Sequence, residues 1–352
     1  MAYTTIDDPS EYFGTVLYTG NVTVRALTFS GNSDLDVDWI WLKSRSGSGN
    51  HHVYDTVRGT QKHLRTNLAS AEGTNGGTDG VTAFSSNGVT IGTNTASNDD
   101  GETFVGWGWK AGTSFTNDAS STSVGTIDSA GSVSTDAGFS ITSFTANGSN
   151  ATIAHGLGAV PQWVILKNRS ISKFWATYHA SLGEGKAIFL DTTAAADADN
   201  TYWNNTAPTS TTFSFGTNSG NNDGNNMIAY CFAEKQGYSK FGSYTGNGNA
   251  DGPMTFTGFK PAFIIVKRTD SSSAGNWQLV DNKRSPFNVA VNTLSPDAPD
   301  QEYTSETDID MLSNGFKIRE NAQINVSGSP YIYMAFAENP FVTSTGVPAT
   351  AR

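Results

Sequence analysis

Bulky and small side chains alternate in a pattern that occurs three times along the chain. Residues 101–110, 224–233 and 328–337 each open on glycine, and alternate positions then carry bulky side chains. The bulky residues are Val105, Trp107 and Trp109, then Ile228, Tyr230 and Phe232, then Ile332, Met334 and Phe336. The positions between them are mostly small. A period of two predicts a β-strand with one face of bulky residues, here called the heavy face, and one face of small residues, the light face. We expect the heavy face to fill a core and another layer of backbone to lie close to the light face.

A second marker, rich in aliphatic and aromatic residues and containing lysine, precedes each of these strands. It spans residues 39–45, 163–169 and 263–268. Its lysines are separated by 124 and 100 positions, and the glycines of the first marker by 123 and 104. Because the two markers keep nearly the same step, the chain contains three copies of one unit of roughly a hundred residues.

The triplication predicts an all-β fold of three tandem antiparallel β-sandwich domains, jelly-roll or lectin-like, in an elongated row. The predicted segments are an N-terminal arm or frayed end (1–11), repeat 1 (12–112), a Ser/Thr/Gly-rich linker or arm with room for an edge strand (113–135), repeat 2 (136–236), repeat 3 (237–341) and a polar C-terminal tail (342–352). Since no linker separates repeats 2 and 3, we expect these two to pack as a rigid pair.

Composition agrees with short strands joined by many turns. The 352 residues include 37 glycines, and only 15% are charged. The net charge of −11, without a cluster of lysine or arginine, argues against nucleic acid and against an anionic membrane as partner. Neither a signal peptide nor an apolar run long enough to span a bilayer stands out, so we expect a soluble protein without Sec-type export or membrane insertion.

Several local features predict structural roles. Asp55 and Arg58 recur at the same spacing as Asp281 and Arg284, and such a pair typically fixes a loop by charge-assisted hydrogen bonds. The only cysteine, Cys231, stands where the other copies have glycine and alanine, which predicts a small buried side chain. The pairs Asn87–Gly88 and Asn314–Gly315 predict hairpins with type I′ turns.

Motifs for catalysis, metals and cofactors are weak, so we predict no catalytic residue, no cofactor and no metal site. His51, His52 and His63 lie near Asp55, but their spacing is not that of a zinc site, and we interpret them as surface or turn residues. Residues 98–101 and 222–224 resemble fragments of calcium-binding loops, and we interpret them as hairpin turns.

Three aromatic residues of the second copy are candidates for contact with a sugar or receptor. They are Trp175, Tyr178 and Trp203. Exposed aromatic rings of this kind stack on sugar rings, whereas buried ones form part of a sandwich core, and the sequence leaves both roles open.

Several longer segments resemble one family. They are Tyr18–Asn21 and its echo at 244–247, the markers 163–169 and 263–268, residues 155–161 and 203–208, and 230–246. Together they resemble virion structural proteins of tailed bacteriophages, especially marine ones, often described as tail-fibre or appendage proteins. The resemblance covers residues 1–341 and carries no catalytic residues. It implies a virion component assembled in the host cytoplasm together with other virion proteins.

From this resemblance we expect a non-enzymatic tail fibre or fibre-like appendage that contributes to host attachment. Fibres of this kind are commonly homotrimers, and a host cell-surface glycan is the expected receptor class. Loops 69–80 and 192–205 are the expected recognition sites. The alternatives are a capsid decoration, cement or head-fibre protein, and, from other classes, a polysaccharide-degrading enzyme or a sugar-binding module.

Overall fold

The computed structural model describes residues 2–218, 223–271, 275–304 and 307–350. It is nearly all β, with 41% of residues in strands and 3% in helices, so the predicted fold class is confirmed at this level. We refer to residues 12–112, 113–236 and 237–341 as units 1, 2 and 3.

Unit 1 contains a large and a small antiparallel sheet, preceded by a 3-10 helix at Pro9–Glu11. Its elements are β1 (Phe13–Thr19), β2 (Arg25–Leu27), β3 (Trp39–Ser44), β4 (His52–Asp55), β5 (Lys62–Arg65), β6 (Gly73–Thr74), β7 (Val81–Ser85), β8 (Gly88–Ile91), α1 (Thr95–Asn98) and β9 (Thr103–Trp109). The large sheet has the order β1-β9-β3-β4-β5-β6 and the small sheet the order β2-β8-β7.

Unit 2 has the same plan with two added edge strands. Its elements are β10 (Thr113–Asn117), α2 (Ala119–Thr122), β11 (Ser129–Ser134), β12 (Phe139–Thr145), β13 (Ala151–Ala154), β14 (Trp163–Asn168), β15 (Ala176–His179), β16 (Ile188–Phe189), β17 (Thr212–Phe215) and β18 (Asn226–Phe232). The large sheet has the order β10-β11-β12-β18-β14-β15-β16, and β13 pairs with β17. The segment 113–135, predicted as a linker or arm, therefore supplies edge strands to this sheet.

The large sheet of unit 3 has four strands, fewer than those of units 1 and 2. Its strands are β19 (Ser239–Thr245), β20 (Met254–Phe256), β21 (Phe259–Arg268), β22 (Gln278–Asp281), β23 (Ile309–Leu312), β24 (Gly315–Ile318) and β25 (Pro330–Pro340). The large sheet has the order β19-β25-β21-β22 and the small sheet the order β20-β24-β23.

The three strands predicted from the heavy and light pattern occupy the same place in each unit. Strand β9 lies between β1 and β3, β18 between β12 and β14, and β25 between β19 and β21. Both sequence markers thus form neighbouring central strands, as a triplicated unit requires.

The light face of each central strand packs against the small sheet of its own unit. In unit 2, Ala229 and Cys231 share a buried cluster with residues of β13 and β17. In unit 1, a Cβ on Gly108 would lie 2.8 Å from the Phe29 ring, so a larger residue there would displace that ring. The atoms nearest to Gly108 on this face belong to the side chains of Phe29 and Val37, and not to the layer of backbone that the sequence predicted.

The heavy faces of all three units meet in one central core. A single buried cluster contains Trp107 and Trp109 from unit 1, Tyr230 and Phe232 from unit 2, and residues of β25 in unit 3. Other contacts across the units include the stacked rings of Trp39 and Tyr230 (4.7 Å), the rings of Trp163 and Trp277 (5.8 Å) and those of Trp109 and Phe263 (5.5 Å).

The elongated row expected from the sequence is therefore wrong. In a row, repeats 2 and 3 would form the closest pair, whereas here every unit packs against both others. The N-terminal segment also packs on this body, because Ile6 is buried in the central core and the Tyr3 hydroxyl donates to the Gly258 carbonyl at 2.8 Å.

The two predicted hairpins are present, but the predicted turn type is wrong. Register pairs Ser85 with Gly88, so the two loop residues are Ser86 and Asn87 rather than Asn87 and Gly88. A type I′ turn needs positive φ at both loop residues, and Asn87 is not among the residues with positive φ. Gly88 instead begins β8 at φ +113°, where a Cβ would lie 2.0 Å from the Leu27 carbonyl oxygen.

Candidate functional site

The junction between units 1 and 2 buries a set of charged side chains. Arg58 Nε lies 2.5 Å from Asp55 Oδ2, and both side chains are fully buried. From unit 2, the Tyr230 hydroxyl donates to the same oxygen at 2.7 Å. Glu72 accepts hydrogen bonds from Arg58 at 3.3 Å and, across the junction, from Arg169 at 2.8 Å. Two acids and two arginines therefore balance one another, which offsets the cost of burying them.

The junction between units 3 and 1 contains a matching set. Arg284 Nε lies 2.5 Å from Asp281 Oδ2, and the Trp107 indole donates to that oxygen at 3.1 Å. Glu302 accepts from Arg284 at 3.1 Å and from Arg45 of unit 1 at 2.8 Å. The two junctions are copies of one arrangement.

The loop-fixing role predicted for the two acid and arginine pairs is confirmed. The backbone N–H of Arg58 donates to Asp55 Oδ1 at 2.8 Å, and that of Arg284 donates to Asp281 Oδ1 at 2.9 Å. Each carboxylate thus holds the turn after its strand and, with its second oxygen, the neighbouring unit. The sequence predicted only the first of these functions.

At the junction between units 2 and 3, the positions compared below hold uncharged residues. His179 takes the register position of Asp55 and Asp281 in its sheet, and burial lowers its pKa to about 4, so it is neutral. On the central strand of unit 3, the register position equivalent to Tyr230 and Trp107 holds Met334, which has no hydrogen to donate. Ala196 stands where the other junctions have glutamate, with its N–H bonded to the next unit. Because the residues at these three positions are uncharged, none of them is a buried charge without a counter-charge.

Each unit also buries the lysine of its second marker. These residues are Lys43, Lys167 and Lys267, and burial lowers the pKa of each to about 8. Lys167 Nζ donates to the Ala69 carbonyl of unit 1 at 2.6 Å, and Lys267 Nζ donates to the Thr193 carbonyl of unit 2 at 2.9 Å. Loops 69–80 and 192–205 were expected to be recognition sites. Near its first residue, each of them contacts the neighbouring unit.

Replacing Arg58 by methionine is expected to destabilise the whole body. The substitution leaves Asp55 buried without its counter-charge, which costs about 3–5 kcal/mol. The control is Arg268→Met, since Arg268 pairs with Asp270 near the surface, where an ion pair contributes about 1 kcal/mol or less. Urea unfolding followed by tryptophan fluorescence measures both variants. Equal losses would contradict the assignment of Arg58 to a buried junction.

The three candidate sugar-contact residues are buried and do not form one site. Trp175 belongs to the central core, and its indole donates to the Arg65 carbonyl of unit 1 at 2.8 Å. Tyr178 and Trp203 pack edge to face in the core of unit 2, with ring centroids 5.8 Å apart. Their exposures of 0, 5 and 2% leave no open platform, so the core role that the sequence also allowed is the one observed.

The histidines considered for a metal site are buried rather than on the surface. His51 accepts a hydrogen bond from the Trp41 indole at 2.9 Å, and the rings of His52 and His63 lie 5.3 Å apart. Burial lowers the pKa of His52 to about 3 and that of His63 to about 4. Within the described ranges, no group of three or more His, Cys, Asp or Glu side chains is placed to hold a metal ion.

The calcium-loop fragment at 98–101 is not the hairpin turn interpreted from the sequence, because it follows α1 in the connection from β8 of the small sheet to β9 of the large sheet. The Asn98 amide donates to the Thr23 and Gly92 carbonyls, and its oxygen accepts from the Asn21 N–H. Unit 3 repeats this arrangement with Asn325. The second fragment, 222–224, begins outside the described residues.

A groove that the sequence did not indicate runs along strand β1, between units 1 and 3. Its volume is about 790 Å³, and it is lined by residues 13–15 and 30–32 of unit 1 and by Lys283, Phe287 and Glu338 of unit 3. The Phe287 side chain is 79% exposed. Several separated segments contribute to the groove, so no local motif could reveal it.

One buried polar group lines the groove at β1. Thr15 is 6% exposed, and its hydroxyl has no hydrogen-bond partner within the part of the chain that the structure describes. A buried hydroxyl without a partner is costly, and in proteins such groups are usually satisfied by water or by a bound molecule.

Sequence comparison assigns the chain to a family. A protein-family model described as "Domain of unknown function (DUF7483)" matches residues 8–340. The chain belongs to the DUF7483 family. The match runs through all three units, so one DUF7483 domain corresponds to the complete body with its shared core. No curated protein and no solved structure matches the chain.

The DUF7483 body contains only short helices in its described ranges. None of them has the length and the apolar composition needed to cross a bilayer.

Proposed function

We propose that the chain is a bacteriophage virion structural protein, a tail fibre or fibre-like appendage that contributes to host-surface attachment. The observation that carries the proposal is the resemblance of its repeated segments to tailed-phage virion proteins. Those segments have structural roles in the fold: the markers 163–169 and 263–268 form central strands with their lysines buried at the junctions.

A rigid body that presents several loops suits a binding role. Each unit pairs a large and a small sheet around its own core, and we propose that these are β-sandwiches of the lectin-like or jelly-roll kind. The loop segments 76–78 and 204–205 are exposed. A scaffold with exposed loops is the usual basis for recognition, and a host cell-surface glycan is the receptor class we propose.

The resemblance also suggests a homotrimer, and light scattering of the purified chain tests it. The three units of one chain already bury their heavy faces against one another, so the stability of the units does not require contacts between chains. A measured mass three times that of the chain supports a trimeric fibre. A measured mass equal to that of the chain contradicts the trimer, and host attachment would then depend on one chain with its three similar units.

The closed ring of units also suits one alternative, a capsid decoration or head-fibre protein. Unit 1 contacts unit 2, unit 2 contacts unit 3, and unit 3 contacts unit 1 through corresponding backbone hydrogen bonds, from Glu72 N to Arg169 O, from Ala196 N to Thr269 O and from Glu302 N to Arg45 O. Such a ring has three related faces, which fit a threefold position on a shell as well as on a tail.

Immunogold labelling of the phage that encodes the chain distinguishes these proposals. Antibody against the full chain is expected to label the tail or its appendages, and binding of the purified chain to host cells is expected to compete with infection. Label over the shell would support the decoration protein instead. Particles without label, together with release of reducing ends from host polysaccharide, would contradict both.

A further inference from the structure

The large sheets end differently in the three units. Strands β1, β12 and β19 are equivalent, since each pairs with the central strand of its unit. In unit 2, β11 pairs with the outer side of β12, whereas β1 and β19 are the terminal strands of their sheets. Edge strands present unpaired backbone groups that can bind another strand.

The backbone groups that face outward on β1 follow from its register. Lys110 N donates to the Tyr12 carbonyl, and Gly20 N donates to the Glu102 carbonyl. Because antiparallel pairs alternate, the even-numbered residues of β1 bond to β9 and the odd-numbered residues point away from it. Within the described ranges, the outward groups of Phe13, Thr15 and Leu17 have no backbone partner.

The groove lies along this outward side. Its walls include residues 13–15, and the equivalent residues of unit 2, 139–141, pair there with Ser134, Val133 and Ser132 of β11. The groove is thus the position that a strand fills in unit 2. Strand β19 is less available, because the Ser239 N–H already donates to the Lys235 carbonyl.

We propose that the groove along β1 binds an extended segment of a different protein by strand addition, as β11 binds β12. Main-chain hydrogen bonds to Phe13, Thr15 and Leu17 supply the affinity in this mode of recognition.

The chemistry of the bound segment follows from β11, whose sequence is Ser-Ala-Gly-Ser-Val-Ser. Its residues opposite 139, 141 and 143 are serine, serine and alanine. Their equivalents on β1 are Phe13, Thr15 and Leu17. A serine opposite Thr15 places a hydroxyl beside the unpaired Thr15 hydroxyl. The partner segment is therefore uncharged and rich in Ser, Ala, Gly and Val.

A peptide with the sequence of residues 129–135, which contains no charged side chain, is capped at both ends and serves as the probe for the full chain. Hydrogen exchange read by mass spectrometry is expected to show protection of residues 12–20 on peptide addition, with 237–246 unchanged. A peptide N-methylated at the residue matching Ser132 should bind about tenfold more weakly or worse, because that N–H points toward the edge. Methylation at the residue matching Val133, whose N–H points away, should leave binding unchanged.

The chain itself provides a matched pair of variants. Thr15→Pro removes an outward N–H without removing a bond to β9, and edge strands tolerate proline. It should abolish protection by the peptide, whereas Thr15→Ala should retain it. Absence of protection at 12–20 in the wild-type chain, or equal binding of the two methylated peptides, overturns the proposal even if Thr15→Pro fails to fold. A dimer that protects 12–20 without peptide also overturns it, since a second copy would then be the occupant.

Discussion

A chain cut to residues 113–236 is expected to lack a stable fold, although it contains two complete sheets and a core of its own. Excision exposes the heavy face of unit 2, including Trp163, Trp175 and Phe232, each 1% exposed or less in the whole chain. Burying a large apolar side chain contributes about 1.5–3 kcal/mol. Ten such residues of unit 2 lie in the central core, so losing half of their burial costs on the order of 10 kcal/mol, comparable with the stability of a typical domain.

Near-ultraviolet circular dichroism and urea unfolding test this expectation. The complete chain should unfold in a single transition, and the fragment should show neither fixed aromatic signals nor a transition. Seven of the eight tryptophans belong to the central core, so tryptophan fluorescence reports on it directly. A fragment that unfolds cooperatively on its own, or a complete chain with three separate transitions, would contradict the shared core.

The strands and the triplication were predictable because both depend on local periodicity. A period of two identifies the heavy face of a strand, and it did so for Trp107, Tyr230 and Met334 alike. The same period does not indicate which part of the protein packs against the heavy face. Three sandwiches in a row and three units around one core have the same alternation, which is why the arrangement was predicted wrongly.

The junctions were predictable in part. The spacing of Asp55 and Arg58 indicated a local pair, but Tyr230 lies 175 positions from Asp55, beyond any sequence motif. Alignment of the three copies does contain a signal. Where His179 replaces the aspartate, Met334 replaces the hydrogen-bond donor at the equivalent position of the next unit. Reading such paired replacements as contacts would have placed the units around a common core.

Five buried histidines predict that the protein loses stability in weak acid. They are His51, His52, His63, His155 and His179. Burial lowers the pKa of His51 well below its usual range, that of His52 to about 3, and those of the other three to about 4. Three of them also accept hydrogen bonds at Nδ1, from the Trp41 indole and from the backbone N–H groups of Leu157 and Ser181, so they are neutral in the fold.

The direction of the effect follows from linkage. Unfolded histidines bind protons below about pH 6.5, whereas the folded ones stay neutral until about pH 4, so stability falls as the pH decreases between these values. Each histidine costs about 2 kcal/mol at pH 5, and the five together cost about 10 kcal/mol. Asp297 opposes this, because burial raises its pKa to about 7 and acid neutralises it, which offsets about one histidine.

Urea unfolding at pH 7, 6 and 5 measures the loss, which should be on the order of 8 kcal/mol between the extremes and should bring the chain close to unfolding at pH 5. His179→Asn is the matched variant, because its amide oxygen can accept from the Ser181 N–H without binding a proton. It should reduce the slope of stability against pH by about one proton in this range. Equal stability at pH 7 and pH 5 would show that the histidines titrate normally and are not buried as described.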